Sequence, residues 1–173
     1  GANSQVTPAY VQQHMDLLEA CDYVVFQLEI PLETVVYAAK EASRLGKKVI
    51  LDPAPAVPGL PEELLQSLYL IKPNEPELSI LTGRPHDPAR LREDALSLQA
   101  RGVKNVLVTL GGAGSYLLRE DGTETRIPAD STVKVVDTTA AGDSYMGALA
   151  VALSQGKDLE EAARFASRVS DIV

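Results

Sequence analysis

The strongest constraint on this chain is a set of four short, almost wholly apolar runs, at residues 23–28, 48–52, 68–71 and 106–110, separated by segments with helical spacing. A half-exposed strand alternates apolar and polar residues. A continuous run of this length is instead the mark of a strand buried on both faces, as in a parallel sheet covered by helices. The intervening segments agree. Over residues 32–45, Val35, Val36, Ala39, Ala42 and Leu45 recur at helical spacing, and Gly46 stands where a helix-ending glycine belongs. Residues 75–81 read as a helix stopping at Gly83, and residues 88–101 as one ending at Gly102. Near the start, Thr7 is placed to cap a helix with Pro8 in its first turn, running to about Ala20. A proline-rich loop, Pro53 to Gly59, leaves the second run.

After the fourth run the pattern changes. Residues 115–118, the turn Glu120-Asp121-Gly122 and residues 123–127 read as a hairpin. Residues 133–136 form a further short strand, and two helices follow, at about 142–154 and from about 159 onward. There is no internal repeat and no dividing linker, so the 173 residues are read as a single α/β unit with a mainly parallel sheet. The loop-like opening and the uncapped last helix suggest a chain that begins and ends within a fold.

Composition excludes several function classes. With 16 Lys+Arg against 24 Asp+Glu the formal net charge is −8, and the isoelectric point near 4.8 makes a phosphate backbone an unfavourable partner. No apolar stretch approaches the roughly 18 residues of a membrane span, and the opening residues lack the pattern of a signal peptide. A single cysteine, Cys21, excludes a disulfide framework and suits a buried thiol in a cytoplasmic protein. The isolated His14 and His86 offer no zinc-ligand set.

Ligands of open α/β sheets bind at the carboxyl ends of the strands. Four segments there carry polar or glycine-rich signals, each with two readings. Glu29 follows the first run; it is either a solvated acid at a helix start or a carboxylate accepting hydrogen bonds from ligand hydroxyls. Asn74 and Glu77 have the spacing of a capping box, or face a phosphate and its Mg²⁺. Thr109-Leu110-Gly111-Gly112-Ala113-Gly114 is either a tight turn or a backbone that a nucleotide can approach closely. It matches neither a Walker A loop nor G-x-G-x-x-G.

The last segment, Asp137-Thr138-Thr139-Ala140-Ala141-Gly142-Asp143, leads small residues into a helix start. Unpaired N–H groups there, together with the helix dipole, can hold an anion. Asp143 beside them can accept a proton from an attacking hydroxyl while the N–H groups hold a transferring phosphoryl group. The plainer reading makes Asp143 a helix N-terminal acid and Asp137 the end of a strand.

The run D-T-T-A-A-G-D-S-Y-M-G-A-L at 137–149 resembles the D-T-x-G-A-G-D signature of the PfkB-type carbohydrate kinases, the ribokinase family. The same resemblance extends, in order, through G-A-N-S at 1–4, Q-L-E-I-P-L-E-T-V at 27–35, P-A-P-A at 53–56, K-P-N-E-P-E at 72–77 and T-L-G-G-A-G at 109–114. It implies a three-layer α/β/α sandwich and ATP-dependent phosphorylation of a primary sugar hydroxyl, O5 of D-ribose in ribose-specific members. Another sugar or a nucleoside, or an inactive nucleotide-binding fragment, are the alternatives.

By this resemblance Asp143 is the catalytic base, and Ala140, Ala141 and Gly142 line the anion hole. Glu29, with Asp143, binds the sugar. Asn74, Thr109, Leu110, Gly111, Gly112, Ala113, Gly114 and Gly142 contact the nucleotide, and Glu77 acts near Mg²⁺. Asp137 and Thr139 match a monovalent-cation site, normally K⁺. Ala140 stands where the signature commonly has Gly. The resemblance also implies that residues 1–173 correspond to the carboxyl-terminal two-thirds of one such domain. The family's Gly-Gly-Asn motif, its β lid and its extreme carboxyl terminus lie outside them. The family further implies a small-molecule sugar partner and a homodimer in the full-length protein.

Overall fold

The computed structural model describes residues 1–129 and 141–170. In chain order the elements are helices α1 (Pro8–Gln13) and α2 (Met15–Ala20), strand β1 (Tyr23–Phe26), α3 (Leu32–Arg44), β2 (Lys48–Leu51), α4 (Glu62–Leu65), β3 (Leu70–Ile71), α5 (Glu75–Thr82), α6 (Leu91–Ala100), β4 (Asn105–Thr109), β5 (Ser115–Leu118), β6 (Glu124–Ile127), α7 (Ala141–Ser154) and α8 (Leu159–Ser170). The six strands form one sheet in sequence order. β1 to β4 are parallel, and β5 and β6 extend the sheet antiparallel. This is the mainly parallel α/β architecture expected from the apolar runs. The strand expected at residues 133–136 lies outside the described residues.

Strand periodicity sorts the core into two layers. Val49, Leu51, Ile71, Val106, Val108, Tyr116 and Leu118 point to one face and pack with Val35, Ala39, Leu64, Leu78 and Leu98 of the helices between α3 and α6. Their neighbours Ile50, Leu70, Leu107 and Leu117 point to the other face, against Tyr145, Leu149, Ala152, Ala162 and Ala166 of α7 and α8. Each fully buried leucine or isoleucine contributes about 1.5–3 kcal/mol by leaving water. The sheet is thus clamped from both sides, and its strand ends are the open rim.

Local signals explain most boundaries. The Thr7 side chain accepts from Tyr10 N at 3.2 Å and starts α1. At α5, Asn74 Oδ1 accepts from Glu77 N and Glu77 Oε2 accepts from Asn74 N, both at 2.8 Å, so the capping-box reading is realised in full. Gly83 ends α5 in the left-handed conformation that glycine adopts freely.

Three expectations need correction. The first helix is broken at His14, whose φ of −122° and ψ of 27° lie outside the helical region and split it into α1 and α2. The helix expected over residues 88–101 opens as a short 3₁₀ turn, Pro88–Arg90, before α6 proper. The third strand shortens to Leu70–Ile71: the turn closing α4 takes the Leu68 N–H, which donates to Leu65 O, while Tyr69 keeps bonds to Val49 O and Asn105 N on either side.

Candidate active site

The parallel strands all deliver their carboxyl ends to one rim, and backbone hydrogen bonds carry the ladder one residue beyond the strands. Asp52 N donates to Phe26 O, and Lys72 N to Leu51 O, each at 2.9 Å. Thr109 N donates to Pro73 O at 3.0 Å, and Asn74 and Thr109 form a parallel bridge. Gln27, Asp52, Lys72 and Asn74 are therefore fixed side by side, with Thr109 next to them. Two of the predicted nucleotide-site residues, Asn74 and Thr109, are brought together in this way.

Behind the rim lies a polar cluster. Asp52 is 3% exposed and Lys72 4%, and Lys72 Nζ stands 3.4 Å from Asp52 Oδ1. Burial pushes the Asp52 carboxyl above the usual aspartate range, against the pull of the Lys72 ammonium and the Gln27 side chain, while the Asp143 charge pushes it further up. Lys72 Nζ also lies 5.8 Å from the ring centre of Tyr145, on the first turns of α7. Burial likewise raises the Glu77 carboxyl, with the Asn74 backbone N–H and Lys72 acting the other way and Asp52 adding to the rise.

Asp143 comes to this rim from the far layer. It sits exposed in the first turn of α7, and its Oδ1 accepts from Gln27 Nε2 at 2.8 Å across 116 residues of sequence. Ala141 and Gly142 precede it as the first residues of α7; Gly142 is exposed, and among the described residues a Cβ placed on it would meet nothing within 4 Å. Asp137, Thr139 and Ala140 lie outside the described residues. Glu29 is exposed in the bend two residues past Gln27, whose neighbour Leu28 is tied by its N–H to Ala54 O at 2.9 Å. Among the described residues no hydrogen bond or ion pair joins Glu29 to Asp143.

The glycine-rich loop is first of all a tight turn: Gly111–Ala113 make one 3₁₀ turn, and Leu110 N donates to Gly114 O at 2.8 Å. Gly111, Gly112 and Ala113 are exposed, next to Thr109. Gly114 is different. Its φ is 87°, and a Cβ there would lie 1.9 Å from Ile127 O and 2.7 Å from Ala129 N. Gly114→Ala is expected to cost about 3 kcal/mol or more, since backbone on two strands must shift. Gly112→Ala, which meets nothing within 4 Å, is expected to leave the urea midpoint nearly unchanged. Equal midpoints for the two variants would refute this account of the loop.

Sequence reasoning missed the Asp52–Lys72 pair and Gln27. The available signal was an ionisable residue immediately after each of two buried strands, with opposite signs. Among the described residues, no group of three or more His, Cys, Asp or Glu side chains is arranged to hold a metal ion. That does not exclude Glu77 as a partner for Mg²⁺, because Mg²⁺ keeps most of its waters and needs only one or two carboxylates beside phosphate oxygens. One Glu77 oxygen is committed to the helix cap, which fits contact through water better than a direct cage.

The chain and its fold have relatives among known proteins. Ribokinase of Schizosaccharomyces pombe is 38% identical over 176 residues, covering 99% of this chain and 55% of that protein. Deoxyribokinase of Salmonella typhi is 37% identical over 163 residues, covering 94% of this chain and 53% of that protein. The structure of Arabidopsis thaliana ribokinase complexed with ribose and ATP superposes with a TM-score of 0.86 at 36% identity, covering 92% of this chain and 51% of that one. The chain thus spans about half the length of these relatives. The pfkB family carbohydrate kinase profile matches residues 1–173, and the chain belongs to that family.

Proposed function

We propose that this chain carries the phosphoryl-transfer part of an ATP-dependent sugar kinase, with Asp143 as general base. The observation that carries the reading is the Asp143 carboxylate, exposed on the first turn of α7 and held toward the strand ends by Gln27. A sugar hydroxyl placed against Asp143 gives its proton to the carboxylate as its oxygen attacks the γ-phosphorus. The bond from that phosphorus to the bridging oxygen breaks, and ADP leaves with the electron pair. The N–H groups of Ala141 and Gly142 face the phosphoryl oxygens, where charge accumulates. Positioning and electrostatics, rather than covalent chemistry by the protein, carry the rate.

Asn74 and Thr109, adjacent at the rim, with the loop Leu110, Gly111, Gly112, Ala113 and Gly114, of which Gly111 to Ala113 are exposed, form the nucleotide side of the site. Glu77 is the carboxylate placed to meet Mg²⁺ through water; the ion, when bound, neutralises phosphate charge and aligns the leaving group. Glu29 is assigned to the sugar hydroxyls. Asp137 and Thr139 are assigned to a K⁺ site on the motif match alone. Residues 1–173 are read as the carboxyl-terminal part of one kinase domain, two-thirds by the motif match and about half by the relatives' lengths, whose remaining sugar contacts lie elsewhere, and a homodimer is proposed for the complete protein.

The substrate is read as a pentose phosphorylated at its primary hydroxyl. D-Ribose is the first choice, supported by the ribokinase relatives. 2-Deoxy-D-ribose is the second, supported by the deoxyribokinase relative, and the two differ by one hydroxyl. The complete protein, given ATP, Mg²⁺ and K⁺, is expected to release ADP with D-ribose well above the rate without sugar. A side-by-side series with 2-deoxy-D-ribose, D-fructose and a nucleoside ranks kcat/KM. Absence of sugar-stimulated release across the series refutes the kinase reading, and a preference for deoxyribose moves it to the second substrate.

A further inference from the structure

We infer that Gln27 is a positioning residue for Asp143, a role that rests on the proposed part of Asp143 as base. An aspartate in the first turn of a helix has a local alternative, because short polar side chains there readily turn back onto nearby backbone N–H groups. In that arrangement its oxygens face its own helix rather than an incoming hydroxyl. Here the Asp143 side chain is drawn away from α7 by a bond from another layer of the fold, 2.8 Å from Gln27 Nε2 to Oδ1. Among the described residues it is the one side chain that donates to Asp143.

The amide also lies beside the buried Asp52, next to it on the rim. Gln27 is half-buried at the end of β1, and its side chain also acts on Asp52, favouring the ionised carboxylate. Asp52 and Asp143 repel each other, and one NH₂ group has two N–H donors with which to face both. The Asp52 side is fixed by Lys72, which is buried and cannot leave. Lys72 reaches α7 as well, through the Tyr145 ring at 5.8 Å. The start of α7 is therefore tied to the sheet by two polar links, one made by Asp143 itself and one by Tyr145 two residues on.

The residue type matters. A lysine at position 27 would neutralise the carboxylate, and a glutamate would add a like charge to the pair. A neutral donor orients the carboxylate while leaving its charge in place to receive a proton.

Gln27→Met keeps the length and approximate volume of the side chain and removes both donors. In the complete protein it is expected to lower kcat about 10- to 100-fold, the scale of a misplaced catalytic group, with KM for sugar and for ATP changed less than about twofold. The thermal midpoint is expected to stay within about 3 °C. Unchanged kcat overturns the inference. So does a loss of kcat accompanied by a matching rise in KM or a large fall in the midpoint, since that is the pattern of a residue that merely holds the fold. A second measurement does not depend on activity: the two side-chain amide protons of Gln27, assigned by ¹⁵N NMR, are expected to shift in Asp143→Ala. If they do not move, the contact is absent in solution and the inference fails. If they move but no sugar stimulates ADP release by the wild-type protein, the positioning contact stands and it is the kinase reading that fails, taking the catalytic meaning of the contact with it.

Discussion

Asp143→Asn is expected to reduce sugar-stimulated ADP release about 10²- to 10⁴-fold, the range associated with a positioned general base. The substitution separates chemistry from geometry. Asparagine keeps an Oδ1 that can accept from Gln27 Nε2, so the side chain has the same anchor. What it loses is the capacity to take a proton near neutral pH. Stability should change little, because two effects oppose. An acid at a helix N-terminus contributes about 0.3–1 kcal/mol. Against that, Asp143 raises the cost of ionising buried Asp52, and removing its charge relieves that cost. Parallel measurement of kcat, KM and a urea midpoint settles the matter. Turnover within a fewfold of wild type would show that Asp143 is only a helix-start acid, and a collapsed midpoint would show that it is structural.

The two readings open for each rim segment in the sequence come apart in the structure in different ways. Asn74 and Glu77 were readable as a helix start because a capping box is local grammar, four residues long, and it forms as written. Asp143 was readable because it follows small residues into a helix. The parallel strands were readable from uninterrupted apolar runs, since burial on both faces leaves no room for alternation. The break at His14 was not readable, as nothing in the local pattern forbids a continuous helix there. Helix α4 was hidden because it is one turn long and follows a proline-rich loop. The Asp52–Lys72 pair and its link through Gln27 to Asp143 were invisible for a deeper reason. Their partners stand 20 and 116 residues apart, and only the strand order, β1 beside β2 beside β3, with α7 laid across, makes them neighbours. Gly114 likewise looked like one more flexible loop residue. Its necessity lies in Ile127 and Ala129, carbonyl and amide groups that the next hairpin brings against it.

Lys72→Met should show the largest loss of stability at this rim, about 3–5 kcal/mol at neutral pH, on the order of 10 °C in thermal midpoint. The expected cost is not the worth of the ion pair itself. Two buried charges repay their own desolvation only in part, so a matched neutral pair can be as stable. Removing one partner, however, leaves the other charged, 3% exposed and without compensation. Asp52→Asn combined with Lys72→Met is therefore expected to recover most of what Lys72→Met loses. The pH dependence has a definite sign. Burial already raises the Asp52 carboxyl above its ordinary value in the folded protein. As pH falls into the window between that raised value and the ordinary one, the folded state takes up a proton that the unfolded chain does not, and acid favours folding through this group. Without Lys72 the carboxyl rises further and the window widens upward. The penalty of Lys72→Met should accordingly be greatest at neutral pH and shrink as the solution is acidified through the raised Asp52 value. A penalty that stays flat with pH would assign the loss to packing of the lysine's aliphatic stem. The stranded carboxylate would then not be what makes this corner of the sheet depend on both charges.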